Sequence, residues 1–140
     1  MTCRPAINTI EDTVSLLDEI KIPRFGLGVY NIDVSHTRQA VLWALQCGYR
    51  QIDTAARYNN EKGVGEAVRE SGLKRDEVFI VTKVYHDDHG YHETFKAFEK
   101  SLSLLGLDYV DLYLIHFPVP GRVVDTWKTM VELKEKNLIR

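Results

Sequence analysis

Apolar residues along this chain form two kinds of pattern. Short apolar runs are typical of β-strands, and longer stretches with apolar residues every three or four positions are typical of helices. The predicted strands are residues 25–28, 50–53, 78–83 and 110–116. Each is followed by a helical pattern, most clearly by Phe95, Phe98, Leu102 and Leu105 at spacings of three, four and three. Four consecutive βα units of this kind are typical of a parallel sheet or a (β/α) barrel.

The first two predicted helices have recognisable ends and contacts. A helix over 35–47 begins at a serine that can cap it, and Gly48 follows where a left-handed residue is favoured. The second helix covers 60–70 and contains Gly63 and Gly65. Because glycine costs a helix about 1 kcal/mol relative to alanine, these glycines indicate close packing against a neighbouring element.

Segments before and after these elements complete the predicted architecture. Residues 7–20 have the turn-forming and β-branched residues of a hairpin that closes a barrel floor. The apolar side of the fourth predicted helix comprises Val123, Val124, Trp127, Met130 and Val131. Residues 137–140 resemble the approach to a fifth strand. The residue pattern alone therefore predicts four βα units and leaves a parallel sheet and a (β/α) barrel both open.

Composition narrows the class of protein. The chain has 140 residues, 44% apolar and 27% charged, which fits one globular unit with a buried core. A net charge of −2 without a Lys/Arg block gives no basis for binding nucleic acid or an anionic membrane. Cys3 and Cys47 are too few for a disulfide framework, and no apolar run approaches the roughly 20 residues of a membrane span. A cytoplasmic location is expected.

Three of the predicted strands end on ionisable side chains, Asp53, Lys83 and His116. These residues are 30 and 33 positions apart, the length of one strand-plus-helix unit. Because the carboxyl ends of parallel strands lie at the same edge, we expect the three side chains to meet there. Tyr58, five residues after Asp53, falls in the loop above that edge.

These four residue types can protonate a carbonyl oxygen while another group delivers a hydride. Tyr58 is the proton donor in this interpretation, and the Lys83 ammonium stabilises the phenolate left behind. Asp53 holds the ammonium in place, and His116 offers a hydrogen bond to the substrate oxygen. Each residue alone also has a structural interpretation, as a loop cap, a solvated strand end or a packed turn residue. Their joint placement at successive strand ends favours the catalytic interpretation.

Two other patterns carry less chemical information. The loop after the third predicted strand contains His86, Asp87, Asp88, His89 and His92. Such loose spacing is more typical of a solvated turn than of metal ligands, so no metal site is predicted. The Gly-x-Gly sequences at 26–28 and 63–65 lack the third glycine and the context of a dinucleotide-binding fingerprint.

Two long blocks of sequence resemble the signatures of the aldo-keto reductase superfamily. The first is Gly-Tyr-Arg-Gln-Ile-Asp-Thr-Ala at 48–55, with Tyr-Asn-Asn-Glu at 58–61 and Gly-Val-Gly at 63–65. The second runs through 101–118 and includes Asp-Leu-Tyr-Leu-Ile-His-Phe-Pro. The resemblance implies an NADPH-dependent (β/α)₈ TIM-type barrel that reduces aldehydes and ketones. Residues 1–140 are then a single partial domain, the N-terminal half of such a barrel, with four of its eight βα units. It also implies a catalytic tetrad of Asp53, Tyr58, Lys83 and His116, with Tyr58 as proton donor.

The resemblance further assigns residues to cofactor and substrate. Gly28, Val29 and Tyr30 match the first-strand segment that lies beside the nicotinamide, and Asp53 joins them as a cofactor-binding residue. Tyr30, Tyr85, His116 and Phe117 are expected to wall the pocket for a small carbonyl substrate. The segments that grip the cofactor's pyrophosphate and 2′-phosphate belong to the family's second half, which these 140 residues do not include.

Three functional alternatives remain open at this point. The leading one is an NADPH-dependent carbonyl reductase. The superfamily also includes potassium-channel β subunits, so a non-catalytic binding subunit is the second. The third is a fragment without independent function. Because four strands cannot close a barrel, the open sheet edges are expected to favour self-association, and the 140 residues alone are expected to turn over poorly.

Overall fold

The computed structural model describes residues 9–10 and 12–140. An antiparallel pair comes first, β1 (Thr13–Ser15) and β2 (Lys21–Pro23). The main sheet contains β3 (Leu27–Gly28), β4 (Gln51–Asp53), β5 (Phe79–Val84) and β6 (Leu112–Ile115). Its strands are followed in turn by α1 (Val34–Gln46), α2 (Glu61–Glu70), α3 (Tyr91–Leu105) and α4 (Val123–Glu135). The expected alternation of strand and helix is therefore present.

The main sheet is parallel throughout, and its strands lie side by side in chain order, β3-β4-β5-β6. The register pairs Asp53 with Val81 and Lys83 with Leu114. Each strand therefore begins at one edge of the layer and ends at the other, as repeated βα crossovers require. This register brings the carboxyl ends of β4, β5 and β6 together.

The hydrophobic core lies between the sheet and the helices. The strands contribute Ile52, Ile80 and Val84, all fully buried, while Asp53 and Lys83 project from the opposite face of the sheet. The helices contribute a matching apolar layer that includes Val41, Val64, Ala67, Phe98 and Leu105. Side chains alternate along a strand, so burial of one face directs the ionisable residues to the other.

Glycine permits close contact between α2 and α3. A Cβ on Gly65 would lie 1.7 Å from the Leu105 carbonyl oxygen, a distance that no real contact reaches. A Cβ on Gly63 would lie 3.2 Å from the backbone nitrogen of Arg38, which is tight but attainable. The predicted close packing of α2 is present, and Gly65 is the residue that requires it.

The first helix begins one residue earlier than predicted. The N-cap is Asp33, whose Oδ1 accepts a hydrogen bond from the Ser35 backbone N–H at 2.8 Å. Ser35 instead lies in the first turn, because the Asp33 carboxylate, two residues upstream, caps the helix by accepting from a backbone N–H of that turn. At the other end Gly48 has φ +96°, the left-handed conformation that its position predicts.

Several strand boundaries differ from the predicted ones. The hairpin strands are 13–15 and 21–23, shifted towards the carboxyl end of the predicted 7–20, of which residues 7, 8 and 11 lie outside the described residues. The strands at 27–28 and 112–115 are shorter than predicted. Val110, predicted as part of the fourth strand, instead forms a parallel bridge with Ile139, consistent with the start of a fifth strand.

The apolar side predicted for α4 is wrong in most of its members. Val124, Trp127 and Val131 are 67%, 60% and 44% exposed. The buried side instead contains Thr126 and Thr129, together with Met130 and Leu133.

Hydrogen bonds to the start of α3 explain why the threonine side of α4 is buried. The Thr126 hydroxyl accepts from the Gly90 N–H at 3.0 Å, and the Thr129 hydroxyl donates to the Tyr91 carbonyl at 2.8 Å. Buried hydroxyls with partners of this kind cost little to desolvate.

Candidate active site

The carboxyl ends of β4, β5 and β6 place Asp53, Lys83 and His116 at one edge of the sheet. Asp53 is the last residue of β4, and Lys83 is the fifth of six residues in β5. His116 follows β6 directly, and its backbone N–H donates to the Val84 carbonyl at 3.1 Å. The three predicted strand-end residues therefore share one site, as the spacing of the βα units predicts.

Lys83 is the centre of the site. Its ammonium lies 2.5 Å from Asp53 Oδ1, 2.9 Å from the Thr54 carbonyl oxygen and 3.5 Å from Tyr58 Oη. An ammonium group has three protons to donate, and these three oxygens accept them. The Lys83 side chain is 12% exposed and the Asp53 side chain 34%, so the ammonium is largely away from water while the carboxylate is partly exposed.

Tyr58 reaches this centre from the loop after β4. A 3₁₀ turn over Ala56–Tyr58 carries it, and Asn59 ends the turn in the left-handed conformation with φ +56°. The Tyr58 ring lies 5.0 Å from the Tyr30 ring and 5.6 Å from the His116 ring, edge-to-face with the latter. The hydroxyl is thus fixed between the Lys83 ammonium and the cleft that these rings border.

The surroundings of His116 favour its neutral imidazole form. Partial burial and then the nearby Lys83 ammonium lower its pKa, which Asp53 only partly offsets. Its Nδ1 is buried and has no hydrogen-bond partner among the residues that the structure describes. The Phe117 ring stacks on the imidazole at 4.7 Å between centroids, which fixes the orientation of the ring.

A cleft of about 380 Å³ opens beside these residues. It is lined by Tyr30, Arg57, Tyr58, Tyr85, His116 and Phe117. All four residues predicted to wall a substrate pocket therefore lie on one cleft. Arg57 was not predicted as a lining residue, although it directly precedes Tyr58 in the sequence and lies in the same turn.

The three residues predicted to lie beside a nicotinamide have different environments. Gly28 has open space where a side chain would stand, and Tyr30 is 65% exposed. Val29 is fully buried in the core, so its side chain faces away from the cleft. Gly28 and Tyr30 are thus available to a ligand, while the Val29 side chain packs into the hydrophobic core and anchors this segment.

Asn60 connects two of these loops and was not predicted from the sequence. It is 1% exposed, accepts from the Thr54 hydroxyl at 2.8 Å and donates to the Val29 carbonyl at 2.9 Å. Thr54 in turn offers its carbonyl oxygen to Lys83. Asn60 therefore links the end of β3 to the lysine at the centre of the site.

Glu61 lies buried beside the same strands. It is 2% exposed, and its carboxylate accepts from the Thr82 hydroxyl at 2.6 Å. Burial raises the pKa of this carboxyl, although hydrogen bonds from Thr82 and Ser101 oppose the rise. Because Thr82 directly precedes Lys83, Glu61 holds β5 in place from the helix side.

The histidine-rich segment after β5 is a 3₁₀ turn over His86–Asp88. His86 Nε2 lies 3.2 Å from Asp87, whereas His89 is fully buried and neither of its ring nitrogens has a partner among the described residues. Within residues 9–10 and 12–140, no group of three or more His, Cys, Asp or Glu side chains is arranged to hold a metal ion.

Comparison with known proteins identifies the family. The sequence profile of the Aldo/keto reductase family matches residues 24–140, so the chain belongs to that family. It is 48% identical over 135 residues to a 9,11-endoperoxide prostaglandin H2 reductase of Trypanosoma cruzi, covering 96% of this chain and 48% of that protein. It is 47% identical over 133 residues to a glyoxal reductase of Bacillus subtilis, covering 94% of this chain and 48% of that protein.

Solved structures agree with this assignment. An aldo/keto reductase from Brucella melitensis matches with a TM-score of 0.90 and 46% identity, over 96% of this chain and 52% of that one. A Bombyx mori aldo-keto reductase in complex with NADP matches with a TM-score of 0.87 and 36% identity, over 94% of this chain and 49% of that one. The expected fold class is thus confirmed as a partial (β/α)₈-type barrel with four βα units.

The chain spans about half the length of the relatives it matches.

In the part of the chain that the structure describes, none of the helices is both long and apolar enough to cross a membrane.

Proposed function

We propose that the chain supplies the proton-donating half of an NADPH-dependent carbonyl reductase that converts aldehydes and ketones to alcohols. The observation that carries this proposal is the line of contacts from Asp53 through Lys83 to the Tyr58 hydroxyl, at 2.5 and 3.5 Å. Relatives named as reductases of glyoxal and methylglyoxal support the reaction class. Related structures in complex with NADP and NADPH support the cofactor.

In this proposal Tyr58 donates its proton to the carbonyl oxygen and becomes a phenolate. At 3.5 Å the Lys83 ammonium attracts a phenolate by about 5 kcal/mol for an effective dielectric of 20, but by only about 1 kcal/mol in bulk water. Asp53 offsets part of this attraction, yet it keeps the ammonium charged and in position. Exclusion of water from the cleft therefore determines how much the lysine contributes.

His116 assists at the same oxygen. Its lowered pKa favours the neutral ring, which presents a hydrogen bond without adding a second positive charge beside Lys83. Its ring lies 5.6 Å from the Tyr58 ring, and both residues line the same cleft, which supports a shared role. A carbonyl oxygen between them is polarised by two donors.

Gly28 and Tyr30, at and just after the end of β3, offer open space and a flat surface to a nicotinamide ring. When bound, NADPH supplies the hydride that the carbonyl carbon receives. Gly28 leaves open space at the sheet edge, and the Tyr30 ring forms an adjacent flat wall beside Tyr58. Val29 takes a supporting role in this proposal, since its side chain is buried.

The 140 residues alone are proposed to turn over slowly and to self-associate. Phe117 is 56% exposed and Leu114 is 37% exposed, so water reaches the cleft and the inner face of β6. Among the described residues, β3 and β6 are the outer strands of the main sheet, apart from the bridge at Ile139. Open edges favour pairing with another chain. A cytoplasmic location is part of the same proposal.

Tyr58→Phe tests the role of the proton donor. A chimera that joins this chain to the second half of the Bacillus subtilis glyoxal reductase closes the barrel, and NADPH oxidation with methylglyoxal is followed by absorbance. Tyr58→Phe is expected to lower the rate at least about 100-fold and to leave NADPH affinity unchanged, since only the acid is removed. Tyr109→Phe, at the opposite end of the sheet, is the matched control. A loss of less than about tenfold contradicts the assignment.

A further inference from the structure

The cleft combines aromatic walls with one permanently charged side chain. That side chain is Arg57, since the other five lining residues are three tyrosines, His116 and Phe117. The neighbouring Lys83 ammonium is paired with the Asp53 carboxylate at 2.5 Å. Arg57 therefore supplies the cationic group of the cleft.

The Arg57 guanidinium is held in place by Tyr85. Its central carbon lies 5.3 Å from the centre of the Tyr85 ring, within the range of a cation–π contact. The His116 ring lies 6.1 Å from the same Tyr85 ring. Tyr85 therefore contacts both Arg57 and His116, and all three residues line the cleft.

The guanidinium remains available to a ligand. Within the described part of the chain, no carboxylate forms an ion pair with Arg57. Asp87 and Asp88 lie on an adjoining cavity that Arg57 and Tyr85 also line. The nearest basic partner of Asp87 is His86, at 3.2 Å, so the guanidinium keeps its donors for another acceptor.

We propose that Arg57 selects carbonyl substrates that carry a carboxylate in addition to the reacting carbonyl. This inference rests on the proposed function, because it places the carbonyl at Tyr58 and His116. The carboxylate then meets the Arg57 guanidinium beside Tyr85, while the aromatic walls of the cleft contact the body of the substrate. Arginine suits this role because its planar fork matches a carboxylate.

The test measures binding and needs no turnover, so it is independent of the proposed reaction. The ¹⁵N-labelled 140-residue chain is titrated with 4-(hydroxymethyl)benzoate and with the uncharged 4-methylbenzyl alcohol. The amide signals of Arg57 and Tyr85 and the Arg57 side-chain Nε–H signal are followed by NMR. The benzoate is expected to bind about fivefold more tightly than the neutral alcohol, the upper range for an exposed ion pair.

Three variants separate a specific contact from general charge. Arg57→Gln is expected to reduce the affinity ratio to about one, and Arg57→Lys to retain part of it. Lys74→Gln makes the same change in net charge before the amino end of β5 and is expected to leave the ratio unchanged. High salt is expected to weaken the preference, because the guanidinium is exposed.

Three results overturn the inference. The first is an equal ratio in the wild type and in Arg57→Gln, and the second is the absence of benzoate binding to the wild type. The third is loss of the ratio in Lys74→Gln, which indicates net charge alone.

Discussion

The contact between α2 and α3 is expected to be intolerant of a single methyl group. In Gly65→Ala the new Cβ would stand 1.7 Å from the carbonyl oxygen of Leu105, 2.5 Å from its carbonyl carbon and 2.8 Å from its Cα. All three atoms belong to the backbone, so no side chain can rotate away. The helices must separate by about 1.5 Å to reach the 3.2 Å contact that a Cβ on Gly63 would make.

The expected magnitude follows from two opposing effects. Overpacking a close contact costs up to about 3 kcal/mol, and this contact lies at the severe end because only backbone can move. Alanine recovers about 1 kcal/mol because it favours helix over glycine. The free energy of unfolding is therefore expected to fall by about 2 kcal/mol in Gly65→Ala.

Gly63→Ala is the matched control in the same helix. The neighbours of the new Cβ must move by only a few tenths of an ångström, so the gain in helix propensity offsets the crowding. Its free energy of unfolding is expected to stay within about 1 kcal/mol of the wild type. Equilibrium urea unfolding, followed by circular dichroism at several protein concentrations, measures both variants. Equal stability of Gly65→Ala and Gly63→Ala would refute the packing argument.

Three further perturbations have defined outcomes. Asn60→Ala removes the partner of the buried Thr54 hydroxyl and leaves the Val29 carbonyl with only the Ile32 N–H at 3.2 Å, so unfolding free energy should fall by about 1–3 kcal/mol in urea titrations. Burial lowers the pKa of His89, so acid favours the unfolded chain; from pH 7.5 to 5 the urea midpoint of the wild type should fall more steeply than that of His89→Gln. Leu114→Lys should lower the apparent mass in size-exclusion chromatography by charging the open inner face of β6.

Each of these predictions has a contrary result. An Asn60→Ala variant as stable as the wild type would show that Asn60 does not connect the two loops. Parallel pH profiles for the wild type and His89→Gln would remove His89 from the acid response. A monomeric wild-type chain, or a Leu114→Lys variant that associates as strongly as the wild type, would contradict association through this face.

Much of the site was accessible from the sequence because its determinants are local. The strand predicted at 78–83 is found at Phe79–Val84, and the helix predicted from the spacing of Phe95 to Leu105 is found at Tyr91–Leu105. The βα repeat then brings Asp53, Lys83 and His116 to one edge. Parallel crossovers leave few alternatives for where successive strands end. The close packing of α2 was also predictable, since glycine destabilises a helix and is expected there mainly where a neighbouring element leaves no room for a side chain.

Other features were decided only by tertiary contacts. The threonine side of α4 is buried because Gly90 and Tyr91 present partners for its hydroxyls, while Trp127 on the apolar side is 60% exposed. The orientation of Arg57 over Tyr85 and the link from Asn60 to Val29 join residues 28 and 31 positions apart.

The physical reason is the range of the interactions. Hydrophobic period, glycine and capping preferences act over one or two turns of chain, so the sequence by itself determined the elements and the edge at which Asp53, Lys83 and His116 meet. Polar side chains find their partners only after the elements have packed, because hydrogen bonds depend on distance and angle in the folded state. The charge of the cleft and its supporting contacts were therefore decided by the tertiary structure.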